Sequence, residues 1–186
     1  MKNKVIFYSV VILLIVAVSF FGFRYYKIKS TMGTITPLLQ NVSLRVTNDA
    51  RYEYESTKIT YKELFEKIEK DLSEIESKII DIQSLPTIFC EDKISVAISY
   101  AQSCQELLRT LLNKNRKFLA VQSALEWNKK AFNLYLGSIS YGGEYAKKTF
   151  DEASSDVKTK IQEFKEASQD ISTAIKKVED ARKKSS

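Results

Sequence analysis

A chain of 186 residues has room for one domain and an appendage, and 44% hydrophobic with 28% charged residues is the balance of a folded chain rather than a disordered one. Five glycines and two prolines are too few for an all-β or loop-rich architecture. The formal charge of +6 is concentrated in Lys2, Lys4, Arg24, Lys27 and Lys29, which flank one apolar run, and no acid precedes residue 30; the remainder is nearly neutral, which argues against a nucleic-acid partner.

The chain contains no histidine, which removes the commonest general base and the commonest metal ligand together. There is no phosphate-binding glycine loop, nucleophile elbow, kinase signature or metal-ligand spacing. The expectation is a protein that is not an enzyme and holds no cofactor or metal.

From Val5 to Phe23 the chain runs nineteen residues without a charge. At about 1.5 Å per residue, that nearly crosses a hydrocarbon core of roughly 30 Å, so a transmembrane helix over residues 5–23 is expected. Phe20, Phe21, Phe23, Tyr25 and Tyr26 crowd its C-terminal end beside Arg24 and Lys27, as side chains do at the headgroup level; these seven are the expected membrane-interface anchors. A cleaved signal peptide is the rival reading, since Lys2 and Lys4 form a basic n-region and Ala17 and Ser19 are small enough for a cleavage site. Retention is favoured because aromatic and basic residues continue past that site. A short N-tail with two lysines fits a signal anchor with its N-terminus in the cytoplasm and the rest of the chain outside it.

Residues 1–29 thus form the expected anchor, and Lys29 to Pro37, reading KSTMGTITP, the seam that follows it. Thr36 and Pro37 look like an N-cap and a first helical residue. The stretch 30–57 is read as a linker with a possible short helix, because Leu38, Leu39, Val42, Val46 and Ala50 keep helical intervals while NVSLRV alternates.

Three helices are expected in the bundle at 58–186. The first, about 58–84, carries Tyr61, Phe65, Ile68, Leu72, Ile75, Ile79 and Ile82 at alternating spacings of four and three, a heptad seam, with its acids on the opposite, solvated face. Pro86 ends it, and Thr87 is placed to cap the next helix, about 88–136. That helix has an apolar stripe from Ile94 to Phe132, including Leu125, wide enough for at least two neighbours. Gly137 is placed as its C-terminal stop, with Gly142 and Gly143 in the reversal. The last helix, about 144–183, alternates large residues with alanine, and only Lys160 interrupts its stripe. The predicted fold is all-α: one transmembrane helix, then an elongated antiparallel bundle of three or four helices with coiled-coil-like packing.

Cys90 and Cys104 lack the spacing of a zinc or redox site and lie fourteen residues apart on one helical face. They are expected as small buried hydrophobes, with an intermolecular disulfide in a dimer as the alternative. NKNRK, Asn113 to Lys117, is the densest basic run in the bundle and reads as surface, except that Asn115 falls among leucines and phenylalanine and fits a buried register-setting residue. Trp127 reads as packing or an interface anchor.

These features point to a membrane-anchored bundle that acts by protein-protein interaction or scaffolding, through a protein partner or a second copy of itself. Two alternatives are an extracytoplasmic ligand-sensing bundle, suggested by Trp127 and the nearby tyrosines, and a secreted or membrane-active protein released by cleavage near Ser19.

Overall fold

The computed structural model describes the backbone of residues 2–54, 60–87, 89–139 and 143–185, and the side chains of residues 13–47, 60–87, 89–139 and 143–184. Residues 5–12 of the apolar run, Ala50, residues 58 and 59 of the expected first bundle helix, and Gly142 therefore fall outside the described side chains. Four helices follow in order: α1 (Lys2–Tyr54), α2 (Tyr61–Gln83), α3 (Glu91–Ser138) and α4 (Glu144–Ser185). The fold is an all-helical bundle, and no strand occurs among the described residues.

The largest departure from expectation is α1, which runs through the seam as one helix with Pro37 inside it. Proline removes one backbone hydrogen bond and crowds the preceding turn, at a cost of about 3 kcal/mol in a helix interior. Tertiary packing offsets that cost. Ile35, Val42 and Val46 are buried, and Ile28, Met32, Leu38 and Leu39 are packed beside them, so one heptad phase continues across the proline. Pro37 and Gly33 themselves face solvent, where the orphaned carbonyl is free to meet water. Residues 37–54 are thus part of α1 rather than a separate short helix.

Thr60 starts α2 as a capping box, its hydroxyl accepting from the Glu63 amide while the Glu63 carboxylate accepts from the Thr60 amide. These bonds favour the ionised carboxylate, and the Glu63 pKa lies below its ordinary value. The buried face of α2 is Leu64, Ile68, Asp71, Ile75, Ile79 and Ile82. It is rotated from the expected seam: Leu64 and Asp71 replace Tyr61, Phe65 and Leu72, which are only partly buried. An acid from the face expected to be solvated thereby enters the interior.

The reason is a partner from α1. The Arg45 guanidinium reaches Asp71 at 2.5 Å and also pairs with Glu74, while Asn41 Oδ1 accepts from Arg45 Nε at 2.8 Å. Arg45 opposite Asp71 and Ile35 clustered with Ile82 show that α1 and α2 run antiparallel, which leaves α1 parallel to α3.

Between α2 and α3 the chain turns at Ser84–Cys90. Thr87 does not cap α3; its carbonyl accepts from the Cys90 amide at 2.9 Å, and Cys90 occupies the N-cap position without a side-chain cap bond. The helix starts at Glu91 rather than 88 because this extra turn intervenes. Gly137 lies within α3 instead of ending it, and α3 continues to Ser138. The close approach falls to Gly143, where an added Cβ would stand 3.0 Å from the Ser138 carbonyl oxygen and closer still to its side chain.

α4 packs antiparallel along α3. Ala146, Ala153, Ala167, Ala174 and Ala181 are all buried, a seven-residue repeat that lets the two backbones approach. Lys160 takes the missing alanine position; its ammonium reaches Glu163 at 3.2 Å, and Lys117 of α3 reaches the same carboxylate at 2.7 Å. These two cations hold the Glu163 pKa below its ordinary value. The main core joins Val42 and Val46, Leu64 to Ile79, Tyr100 to Leu112, and Ala174 and Ala181. All four helices therefore meet around one stretch of α3.

Candidate functional site

Each expected feature has a definite place in this rod. Among the described residues, no helix is long and apolar enough to cross a membrane. The described part of the apolar run, Leu13 to Phe23, lies ahead of the first α1 side chain that enters the core, Ile28. Leu13, Leu14, Ile15, Val16 and Val18 are each at least 59% exposed.

The seven expected interface residues lie at the junction of this bare segment with the bundle. Phe20, Phe21, Phe23, Tyr25 and Tyr26 are all half or more exposed. Lys27 Nζ stands 5.6 Å from the centroid of the Phe23 ring. The α2–α3 turn brings Phe89 to the same level, edge-on to Phe20 at 5.5 Å and to Phe23 at 6.4 Å, with the Arg24 guanidinium 5.9 Å from its centroid. Phe89 escaped the sequence reading because it belongs to no periodic element. The signal that could have found it is an aromatic side chain in a tight turn following Pro86.

The other end of the rod is a two-helix arm. α2 begins at Tyr61, whose ring packs against Phe118 of α3 at 5.9 Å. Past Phe118, α3 and α4 are joined by a hydrogen bond and two ring contacts: Asn128 to Ser154 at 2.9 Å, Phe132 to Phe150 at 5.3 Å, and Tyr135 stacked on Phe150 at 6.0 Å. Leu125 and Phe132, expected in the interior, are 49% and 41% exposed because α2 ends before it reaches them. Trp127, Leu134, Leu136 and Ile139 are also exposed on this arm.

Neither cysteine meets solvent: Cys90 is 1% and Cys104 0% exposed, and both are free thiols. They belong to different parts of the core, Cys90 beside Ile35 and Ile82, Cys104 beside Tyr100 and Leu108. A bridge to a second chain would require local opening. Burial pushes the Cys104 thiol up to about 11, offset in part by the hydrogen bond that Tyr100 offers the thiolate.

A group whose pKa is raised on folding stabilises the chain below its unfolded pKa and loses that contribution as pH rises through the folded value. Between pH 9 and 11, stability is therefore expected to fall by about 1.4 kcal/mol per pH unit from this thiol alone. Cys104→Ala should flatten that part of a denaturant-midpoint profile; an unchanged slope would assign it elsewhere, first to the Tyr100 phenol, whose pKa burial also raises.

The basic run NKNRK is used within the fold. Arg116 reaches Glu69 of α2 at 2.9 Å and Lys117 reaches Glu163 of α4. Burial lowers the Lys114 pKa. Asn115 is 6% exposed, and its side-chain Nδ2 has no hydrogen-bond acceptor among the described groups. No group of three or more carboxylate or thiol side chains able to hold a metal occurs among the described residues.

The arrangement offers two uncovered apolar surfaces, one at each end of a rod whose middle is closed by ion pairs and alanine packing. No family model matches the chain, and comparison with curated proteins and with solved structures returns no match.

Proposed function

We propose that the chain is a single-pass membrane protein, N-terminus in the cytoplasm and bundle outside it, that acts without catalysis by presenting the α3–α4 arm to a protein partner. The observation that carries this reading is the distribution of uncovered apolar side chains: most gather at the two ends of the rod, and between them Leu44, Ile80 and Ile175 are exposed. At one end the exposed run Leu13–Phe23 continues the uncharged segment that begins at Val5 and closes on aromatic and basic residues, the composition of a helix leaving a bilayer. At the other, Leu125, Phe132, Leu136 and Ile139 are exposed at helical spacing along one flank of α3, with Trp127 and Leu134 exposed on the opposite flank, and exposed apolar side chains concentrated in this way mark interaction surfaces.

Two measurements on intact cells test the reading. A single cysteine placed at Lys29 or Ser186, in a chain whose native cysteines are replaced by alanine, is expected to react with a membrane-impermeant maleimide. Labelling only after lysis would reverse the orientation. A photo-crosslinking side chain at Leu136 is expected to give one discrete adduct, absent when the same group is placed at exposed Lys176 in the middle of the rod. Equal yields at both positions would remove the arm as the interaction surface.

A further inference from the structure

Phe89 has a backbone φ of 65°, the left-handed region that bulky residues rarely enter. Such a conformation costs about 1–3 kcal/mol and persists where the surroundings hold it. Here the result is not burial in the bundle. The next residue, Cys90, is 1% exposed, whereas the Phe89 ring remains 38% exposed. The strained turn aims the ring outward, against the part of α1 that has already left the core.

Its neighbours there are Phe20, Phe23 and Arg24, three of the residues that end the apolar run. The three rings and the guanidinium therefore occupy one level along α1, and that level is where a helix that begins its uncharged stretch at Val5 has nearly used up a hydrocarbon core of roughly 30 Å. The C-terminus of α4 returns to the same end of the rod, where Lys184 lines a cleft with Met32, Ile35, Asp92 and Lys93. Aromatic rings ringed by Arg and Lys are the side chains that a headgroup layer accepts. Glu91 and Asp92 also stand beside the turn, so a zwitterionic surface fits this end better than a strongly anionic one.

We propose that Phe89 is a second lipid contact, at which the α2–α3 turn dips into the headgroup layer of the membrane that α1 enters. This inference rests on the reading of α1 as a membrane anchor. A single helix leaves the rod free to rotate about the helix axis and to tilt; a second apolar contact beside it fixes both.

The test uses the full chain in phosphatidylcholine vesicles, with flotation as the readout for the anchor and quenching by lipids brominated on the acyl chain as the readout for the second contact. Phe89→Trp in a Trp127→Phe background is expected to float and to lose at least half its fluorescence in brominated vesicles. Native Trp127, roughly 55 Å further along α3, is expected to change little. Should Phe89→Trp lose helix content, Thr87→Trp on the exposed face of the same turn carries the measurement. Flotation without quenching in the folded reporter would overturn the second contact and leave the anchor standing. Failure to float would overturn the anchor, and the second contact with it.

Discussion

Arg45→Met is expected to lower the unfolding free energy by about 2 kcal/mol, read as a shift of the denaturant midpoint at constant slope. The substitution keeps an apolar stem but leaves the Asp71 carboxylate, whose side chain is 9% exposed, without its guanidinium. Removing one partner of a fully buried ion pair costs roughly 3–5 kcal/mol; the Arg45 side chain is 26% exposed, so water relieves part of that here. The double variant Arg45→Met, Asp71→Leu should recover most of the loss, because no buried charge is left unpaired and the Glu74 carboxylate, 36% exposed, is met by water. A double variant as unstable as the single one would show that Arg45 acts through packing rather than charge.

The second large effect concerns the start of the folded unit. A chain beginning at residue 58 contains α2, α3 and α4 but is expected to lose cooperative thermal unfolding and to bind a hydrophobic dye. Without α1, the interior loses Ile35, Val42 and Val46, and Ile68, Ile75 and Ile82 lose their cover on that side. Fully burying one such side chain contributes roughly 1.5–3 kcal/mol, so the loss is comparable with the whole stability of an ordinary domain. A chain beginning at Lys27 retains every described α1 residue that packs in the core and should unfold cooperatively. If the shorter chain behaves the same way, α1 is an appendage and its packing in the bundle is incidental.

Both experiments bear on what is legible in a single sequence. Heptad spacing alone marks α2, α3 and α4 to within a few residues, because a greasy stripe at helical period leaves little choice of secondary structure. The same rule applied to α1 was masked by local punctuation. Ser, Thr, Gly and Pro between Lys29 and Pro37 signal a break, yet Ile28, Ile35 and Val42 recur every seven residues straight through them. Packing along a whole helix face outweighs one missing hydrogen bond.

The ends of the rod were read unequally. The aromatic and basic girdle from Phe20 to Lys27 is contiguous in sequence and needs no fold to be seen. Phe89 joins it only because the α2–α3 turn folds back onto α1, a contact between residues more than sixty positions apart. The uncovered arm is likewise a matter of relative length. Leu125 and Phe132 look like core residues on their own helix, and they are exposed because α2, with 23 residues, is too short to cover α3, with 48.

The amino-acid pattern by itself determined that the chain is helical, that one apolar segment stands apart, and that histidine-dependent chemistry is excluded, since each follows from composition or from spacing along one element. Only the tertiary structure decided which helix faces meet, why Asp71 is buried, and which apolar residues are left bare. Those depend on which partner each face finds, and a partner distant in sequence leaves no trace in local periodicity.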